Sequence, residues 1–176
     1  MLAGFSSQSN AADISGNASA PFLIRSWQTE QGLPHNMILA ITQTRDGYIW
    51  LGTAYGLARF DGVNCRVFGL QDGLKGVEIS TLLEDTQGAL WIGTLGGGLS
   101  RYFQGNIETF TRKDGLNEDA ITALLQDNNG NIWVGTTRGI FLWQNERFNR
   151  LTESFGPIYV RAIVKDRQGI IWVATL

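Results

Sequence analysis

Asn131-Ile132-Trp133-Val134-Gly135-Thr136 occurs, with small changes, four times in this chain. It recurs as Tyr48-Ile49-Trp50-Leu51-Gly52-Thr53, as Ala89-Leu90-Trp91-Ile92-Gly93-Thr94 and as Ile170-Ile171-Trp172-Val173-Ala174-Thr175. The four tryptophans are spaced by 41, 42 and 39 residues. Gly32, Gly73, Gly115 and Gly156 keep nearly the same beat, at 41, 42 and 41. Self-similarity at such a period marks a solenoid, a propeller or another repeat array.

Between these landmarks each unit reads as short strands and tight turns. In the first unit the apolar runs are 37–43, 48–53, 57–60 and 65–68, separated by Thr44-Arg45-Asp46-Gly47, Tyr55-Gly56 and Asp61-Gly62. Gly and Asp at such places are turn and hairpin signals. The second unit repeats them at 79–84, 90–94, 99–102 and 107–111, and the third at 121–126, 132–136, 140–143 and 148–151. No 10–15-residue segment carries apolar spacing of i, i+3, i+4 and i+7, so helical repeats are excluded. Four antiparallel strands in about 42 residues make a β-propeller blade. The Trp-bearing second strand is apolar throughout, as a middle strand covered on both faces would be.

The register also marks the chain's ends. Trp27 precedes Gly32 as Phe68 precedes Gly73 and Phe110 precedes Gly115. Residues 22–31 therefore read as the outer strand of a blade whose first three strands lie upstream. Blades follow near 34–72, 75–113 and 117–153, and residues 158–176 stop before a third strand. The expected fold is an all-β propeller fragment of about three and a half blades, cut in mid-blade. Residues 1–21 lack apolar periodicity and read as a disordered tail or the end of an export signal. Ala18-Ser19-Ala20 before Pro21 has the small-x-small form of a cleavage site.

Composition narrows the chemistry. A net charge of −2 with no basic run excludes a nucleic-acid role. The single cysteine, Cys65, permits no internal disulfide and reads as a small buried strand residue. No apolar stretch is long enough for a membrane-spanning helix. His35 is the only histidine, so no site can use two. Asp85, Asp127 and Asp166 recur once per unit before the Trp strand. One carboxylate per blade suits a turn cap better than a calcium loop, which needs several converging oxygens. No metal, cofactor or catalytic residue is expected.

The pattern Asp-x-x-Gly-x-Ile-Trp-Val-Gly-Thr-x-x-Gly-Ile/Leu, followed by an aromatic and a hairpin, resembles the two-component regulator propeller repeat. The match covers residues 22–176, with Thr44 in place of the turn Asp and Ala174 in place of the motif Gly. The resemblance implies a non-catalytic sensory input domain, periplasmic or extracytoplasmic, within a membrane-anchored bacterial receptor. Such receptors carry a kinase, cyclase or DNA-binding output. Implied partners are an extracytoplasmic ligand or protein, the remaining blades of the ring and, through dimerisation, a second receptor. The alternatives are a propeller enzyme acting on carbohydrate, such as a lyase or hydrolase, and an interaction scaffold.

Propeller topology places the between-blade loops and the second-to-third-strand turns on one face. There the repeats diverge, with His35 and Asn36, Lys75 and Glu78, Glu118 and Asp119, and Tyr159 and Arg161 in the loops. Tyr55 and Arg138 come from the turns. Side chains that vary on a common repeat are not required by it, so these ten are the expected ligand-binding residues.

Overall fold

The computed structural model describes residues 2–6, 23–116, 118–151 and 157–176. Strands β1 (Leu2–Ser6) and β2 (Leu23–Trp27) form a two-stranded sheet. The first full blade is β3 (Ile38–Gln43), β4 (Ile49–Thr53), β5 (Gly56–Phe60) and β6 (Cys65–Phe68). The second is β7 (Ile79–Glu84), β8 (Leu90–Thr94), β9 (Leu99–Phe103) and β10 (Asn106–Phe110). The third is β11 (Ile121–Gln126), β12 (Ile132–Thr136), β13 (Gly139–Gln144) and β14 (Arg147–Arg150). A half blade, β15 (Val160–Lys165) and β16 (Ile171–Thr175), follows. All pairings are antiparallel. The expected three and a half blades are present.

One expectation needs correction. Leu2–Ser6 is a strand and not part of a disordered tail. Its register on β2 (Leu2 opposite Trp27) matches that of Leu57 opposite Phe68 in the first blade. Leu2-Ala3-Gly4-Phe5 thus stands where Leu57-Ala58-Arg59-Phe60 stands, as a third strand beside a fourth. The physical reason is the edge of β2, whose unpaired N–H and C=O groups accept any extended segment of suitable register. The Ala18-Ser19-Ala20 signal lies outside the described residues.

The blades meet through their inner strands, β3 on β7, β7 on β11 and β11 on β15. The glycine of the repeated motif makes this approach possible. A Cβ on Gly52 would lie 2.7 Å from Ile79 Cγ2, one on Gly93 2.8 Å from Ile121 Cγ2, and one on Gly135 2.5 Å from Val160 Cγ1. The motif Gly is therefore a blade-to-blade contact and not a turn residue. Each inner strand also bulges near its start, between Ile38 and Ala40, Ile79 and Thr81, Ile121 and Ala123, and Val160 and Ala162.

Aromatic rings fill the space between blades. Trp50 packs on Phe68 of its own blade and Tyr102 of the next, at centroid distances of 5.4 and 5.1 Å. Trp91 repeats this with Phe110 and Trp143, at 6.1 and 5.9 Å. Trp27, the outer-strand counterpart of Phe68, meets Phe60 at 5.0 Å as Phe68 meets Tyr102 at 5.6 Å. Cys65 is half-buried against the Leu33 and Leu51 cluster. Burial, then the nearby Asp61 charge, pushes its thiol pKa up.

On the opposite rim the blades are tied by polar contacts in register. Glu84 accepts from the backbone N–H of Arg45 in the preceding blade, at 3.1 Å. Gln126 accepts from Thr86 N–H at 2.8 Å, and Lys165 donates to Asn128 Oδ1 at 2.7 Å. These pairs are about one repeat apart in sequence.

Candidate functional site

The loop face begins with three 3-10 turns, Thr29–Gln31, Leu70–Asp72 and Arg112–Asp114. Each closes on a left-handed glycine, Gly32, Gly73 or Gly115, with φ of 96°, 111° and 98°. The side chains of Gln31, Asp72 and Asp114 accept from the backbone N–H three residues back, all at 2.8 Å. This local device launches each between-blade loop at the same angle.

The ten sequence-derived residues fall into three clusters and two isolated positions. His35 and Tyr55 form the first cluster, with ring centroids 4.9 Å apart. His35 Nδ1 accepts from Met37 N–H at 3.0 Å, and Tyr55 is 67% exposed. Asn36 beside them accepts from Thr29 N–H at 2.9 Å. Glu118, Asp119 and Arg138 form the second cluster. Tyr159 and Arg161 form the third, the guanidinium 6.0 Å from the ring centroid. Lys75 and Glu78 are exposed on the loop between the first two blades.

The second cluster is an ion-pair network that pins a loop. Glu118 is 8% exposed and lies 3.4 Å from Arg112 and 3.3 Å from Arg138. Asp119 meets Arg112 Nε at 3.2 Å and accepts from Arg112 N–H at 3.1 Å. The Asp119 carbonyl accepts from Gly96 and Gly98 N–H, at 3.0 and 2.9 Å. Two acids thus balance two arginines, and a buried charge of this kind is held because it is paired. Arg112 was not legible beforehand. Its counterparts, Thr29 and Leu70, are uncharged, so its role appears only when its neighbours are folded around it.

The recurrent carboxylates act as turn caps. Asp85 Oδ1 accepts from Gln87 and Ala89 N–H, both at 2.9 Å, and Oδ2 accepts from the Trp91 indole at 2.8 Å. Asp127 holds Trp133 at 3.1 Å and Asp166 holds Trp172 at 2.8 Å in the same way. In the first blade Thr44 Oγ1 accepts from Trp50 at 3.0 Å and passes its own hydrogen to Asp46 at 2.5 Å. The missing turn Asp is supplied two residues later through a hydroxyl.

Each segment from the left-handed glycine to just past the Trp strand is therefore one structural device, used three times among the described residues. The family model described as two component regulator propeller matches residues 32–55, 73–96, 115–138 and 154–176. The chain belongs to the two component regulator propeller family.

Within that family frame, solved structures agree. The extracellular domain of the hybrid two component system BT3049 from B. thetaiotaomicron superposes with a TM-score of 0.75 at 27% identity, over 89% of this chain and 23% of that one. The extracellular domain of BT4673 from the same organism gives 0.71 at 28%, over 87% and 22%. This propeller chain thus spans less than a quarter of either domain. Virginiamycin B lyase from Staphylococcus aureus gives 0.66 at 17% identity, over 78% of this chain and 48% of the lyase, which shows a shared fold alone. No curated protein matches the chain.

The caps of the regulator propeller give it an acid limit. Partial burial acts to raise the Asp127 pKa, but hydrogen bonds from the Asn131 side chain, the Trp133 indole and backbone N–H groups outweigh it and hold the carboxyl below the usual carboxylate range. The Trp172 indole foremost, with backbone N–H groups, does the same for Asp166. Carboxyls depressed in the folded state stabilise fully above their unfolded pKa, and that stability is lost as pH falls through the folded value. The melting temperature should hold from neutral pH down to about 4 and drop below it, and Asp127→Asn should shrink the drop. A pH series of thermal melts on both proteins checks this.

Proposed function

We propose that this chain is part of the sensory propeller of a bacterial two-component-type receptor and is non-catalytic in itself. Its loop face would bind an extracytoplasmic ligand or protein. The observation that carries this reading is the divergence of one face on a repeated backbone. His35 with Tyr55, Lys75 with Glu78, and Tyr159 with Arg161 occupy equivalent loops yet offer different chemistry. The likeness to extracellular domains of hybrid two component systems supports the sensory and periplasmic assignment. Glu118, Asp119 and Arg138 would shape this face and not contact ligand, because their charges are spent on one another and on Arg112.

A non-catalytic role is supported by His35, whose Nδ1 is engaged by the backbone N–H of Met37 and is thus unavailable as a base. Thermal-shift screening of glycans and small metabolites, with product analysis of each hit, tests the proposal. The expected result is a saturable shift without turnover, lost in Tyr55→Ala or Lys75→Ala. Turnover of a hit would establish the enzyme reading instead. A shift that neither substitution weakens would remove the loop face from the site.

A further inference from the structure

The face opposite the loops carries a cleft of about 570 Å³ between the second and third blades. It is independent of the loop-face reading. Its floor is the row Trp91, Arg101, Glu108, which lie side by side across β8, β9 and β10. The turns of the third blade close the other side through Asn129, Asn145 and Glu146. A cavity of this size suits a small ligand.

Repeat-to-repeat comparison shows why the space is there. In the first blade Arg59 lies 4.3 Å from the Tyr48 ring centroid and 5.7 Å from that of Trp50. Ala89 stands where Tyr48 would be in the second blade, so the ring that covers Arg59 has no counterpart over Arg101. Arg101 instead spreads between Trp91 and Phe103, at 5.8 and 5.2 Å. Its Nε is buried without a hydrogen-bond partner among the described residues. Buried polar atoms in native proteins are nearly always satisfied, so an unsatisfied one on a residue that lines the cleft is unusual. Glu108 lies directly across the strand pair, yet the two form no ion pair.

Glu146 is a second departure from the repeat. Asn145 and Glu146 both take left-handed backbone, with φ of 52° and 60°. The matching turn of the second blade has Gly105 in the place of Glu146. A side chain held there costs stability that a glycine would not, and such strain gathers at binding sites. The strained residue puts a carboxylate on the cleft rim.

Charge selects the ligand class. Asp85 also lines the cleft, but both its oxygens are occupied by Gln87, Ala89 and Trp91. Among the described residues, the lining charges whose side-chain oxygens or nitrogens are given neither a hydrogen bond nor an ion pair are Arg101, Glu108 and Glu146, one positive and two negative. A simple anion would meet two carboxylates, and a neutral polyol would leave all three charges without a counterpart. We infer that this cleft binds a small molecule with one carboxylate and two cationic nitrogen groups, the class of the basic amino acids. Its carboxylate sits on Arg101, its cationic groups on Glu108 and Glu146.

L-Arginine and L-lysine, titrated by calorimetry and thermal shift against the whole chain, are the probes. The expected result is saturable binding, weakened at least about tenfold by Glu108→Gln and by Arg101→Met, as loss of a charge-assisted contact dictates. Glu146→Gly should weaken binding by a similar factor while leaving the melting temperature unchanged or higher, because glycine relieves the left-handed strain. A purely structural residue would not separate the two readouts. No saturable response to either amino acid up to about 10 mM, well above a specific site's working range, overturns the proposal. So does affinity retained in all three variants, or equal binding of D-glucose.

Discussion

Trp91→Ala is expected to destabilise the chain by about 3–5 kcal/mol, the range for emptying a large aromatic site in a core. The side chain is 2% exposed and is shared between two blades. It stacks on Phe110 of its own blade at 24° and meets Trp143 of the next edge-on at 63°. Removing it also strips the buried Asp85 carboxylate of its indole partner, leaving a charged acceptor less satisfied. Trp172 is an internal control, being the same residue in the same motif but 59% exposed. Trp172→Ala should cost less than about 1 kcal/mol, since little apolar area leaves a core. Urea unfolding of both variants beside the parent decides the matter. Equal costs, or a small cost at Trp91, would contradict its seat between blades.

Gly93→Val is expected to be nearly as damaging, at about 3 kcal/mol, through overpacking. A Cβ built there lies 2.5 Å from Thr81 Cγ2 and 2.8 Å from Ile121 Cγ2. Both neighbours belong to inner strands, one in the same blade and one in the next, so neither can swing away without moving a sheet. The clash is steric and not conformational, because Gly93 is not among the residues with left-handed φ. Shortening the opposing side chain should therefore restore part of the loss. The double variant Gly93→Val with Ile121→Ala should be more stable than the sum of the single costs predicts, by at least about 1 kcal/mol. Strict additivity in denaturant melts would mean that these two positions do not touch.

Much of this molecule was legible from local pattern. The 41- and 42-residue beat, the four apolar runs per unit and the hairpin-length turns between them identify the blades from sequence alone. Ala174 in the fourth copy was visible as a departure, though its meaning was not. In the other three copies a Cβ at that position would meet the inner strand of the next blade. The loop-face residues vary from repeat to repeat. Folding divided them, since Glu118 and Asp119 turned out to be engaged by Arg112 and Arg138, while Tyr55, Lys75 and Glu78 stayed open.

The sequence by itself determined whatever depends on residues a few positions apart. That covers strands, hairpins, left-handed turn glycines, the caps on each Trp and the order of strands within a blade. Tertiary structure alone decided what depends on residues about one repeat apart, because those meet only after blades stack. The approach of Gly93 to Ile121 is of this kind. So are the Arg112 network, the pairing of Leu2–Ser6 with β2, and the cleft that opens beside Arg101 where Ala89 replaces Tyr48. A repeat specifies its own strands through periodicity and turn chemistry. The space between two repeats is set by the difference between them, and that difference acquires a shape only when the backbones are brought together.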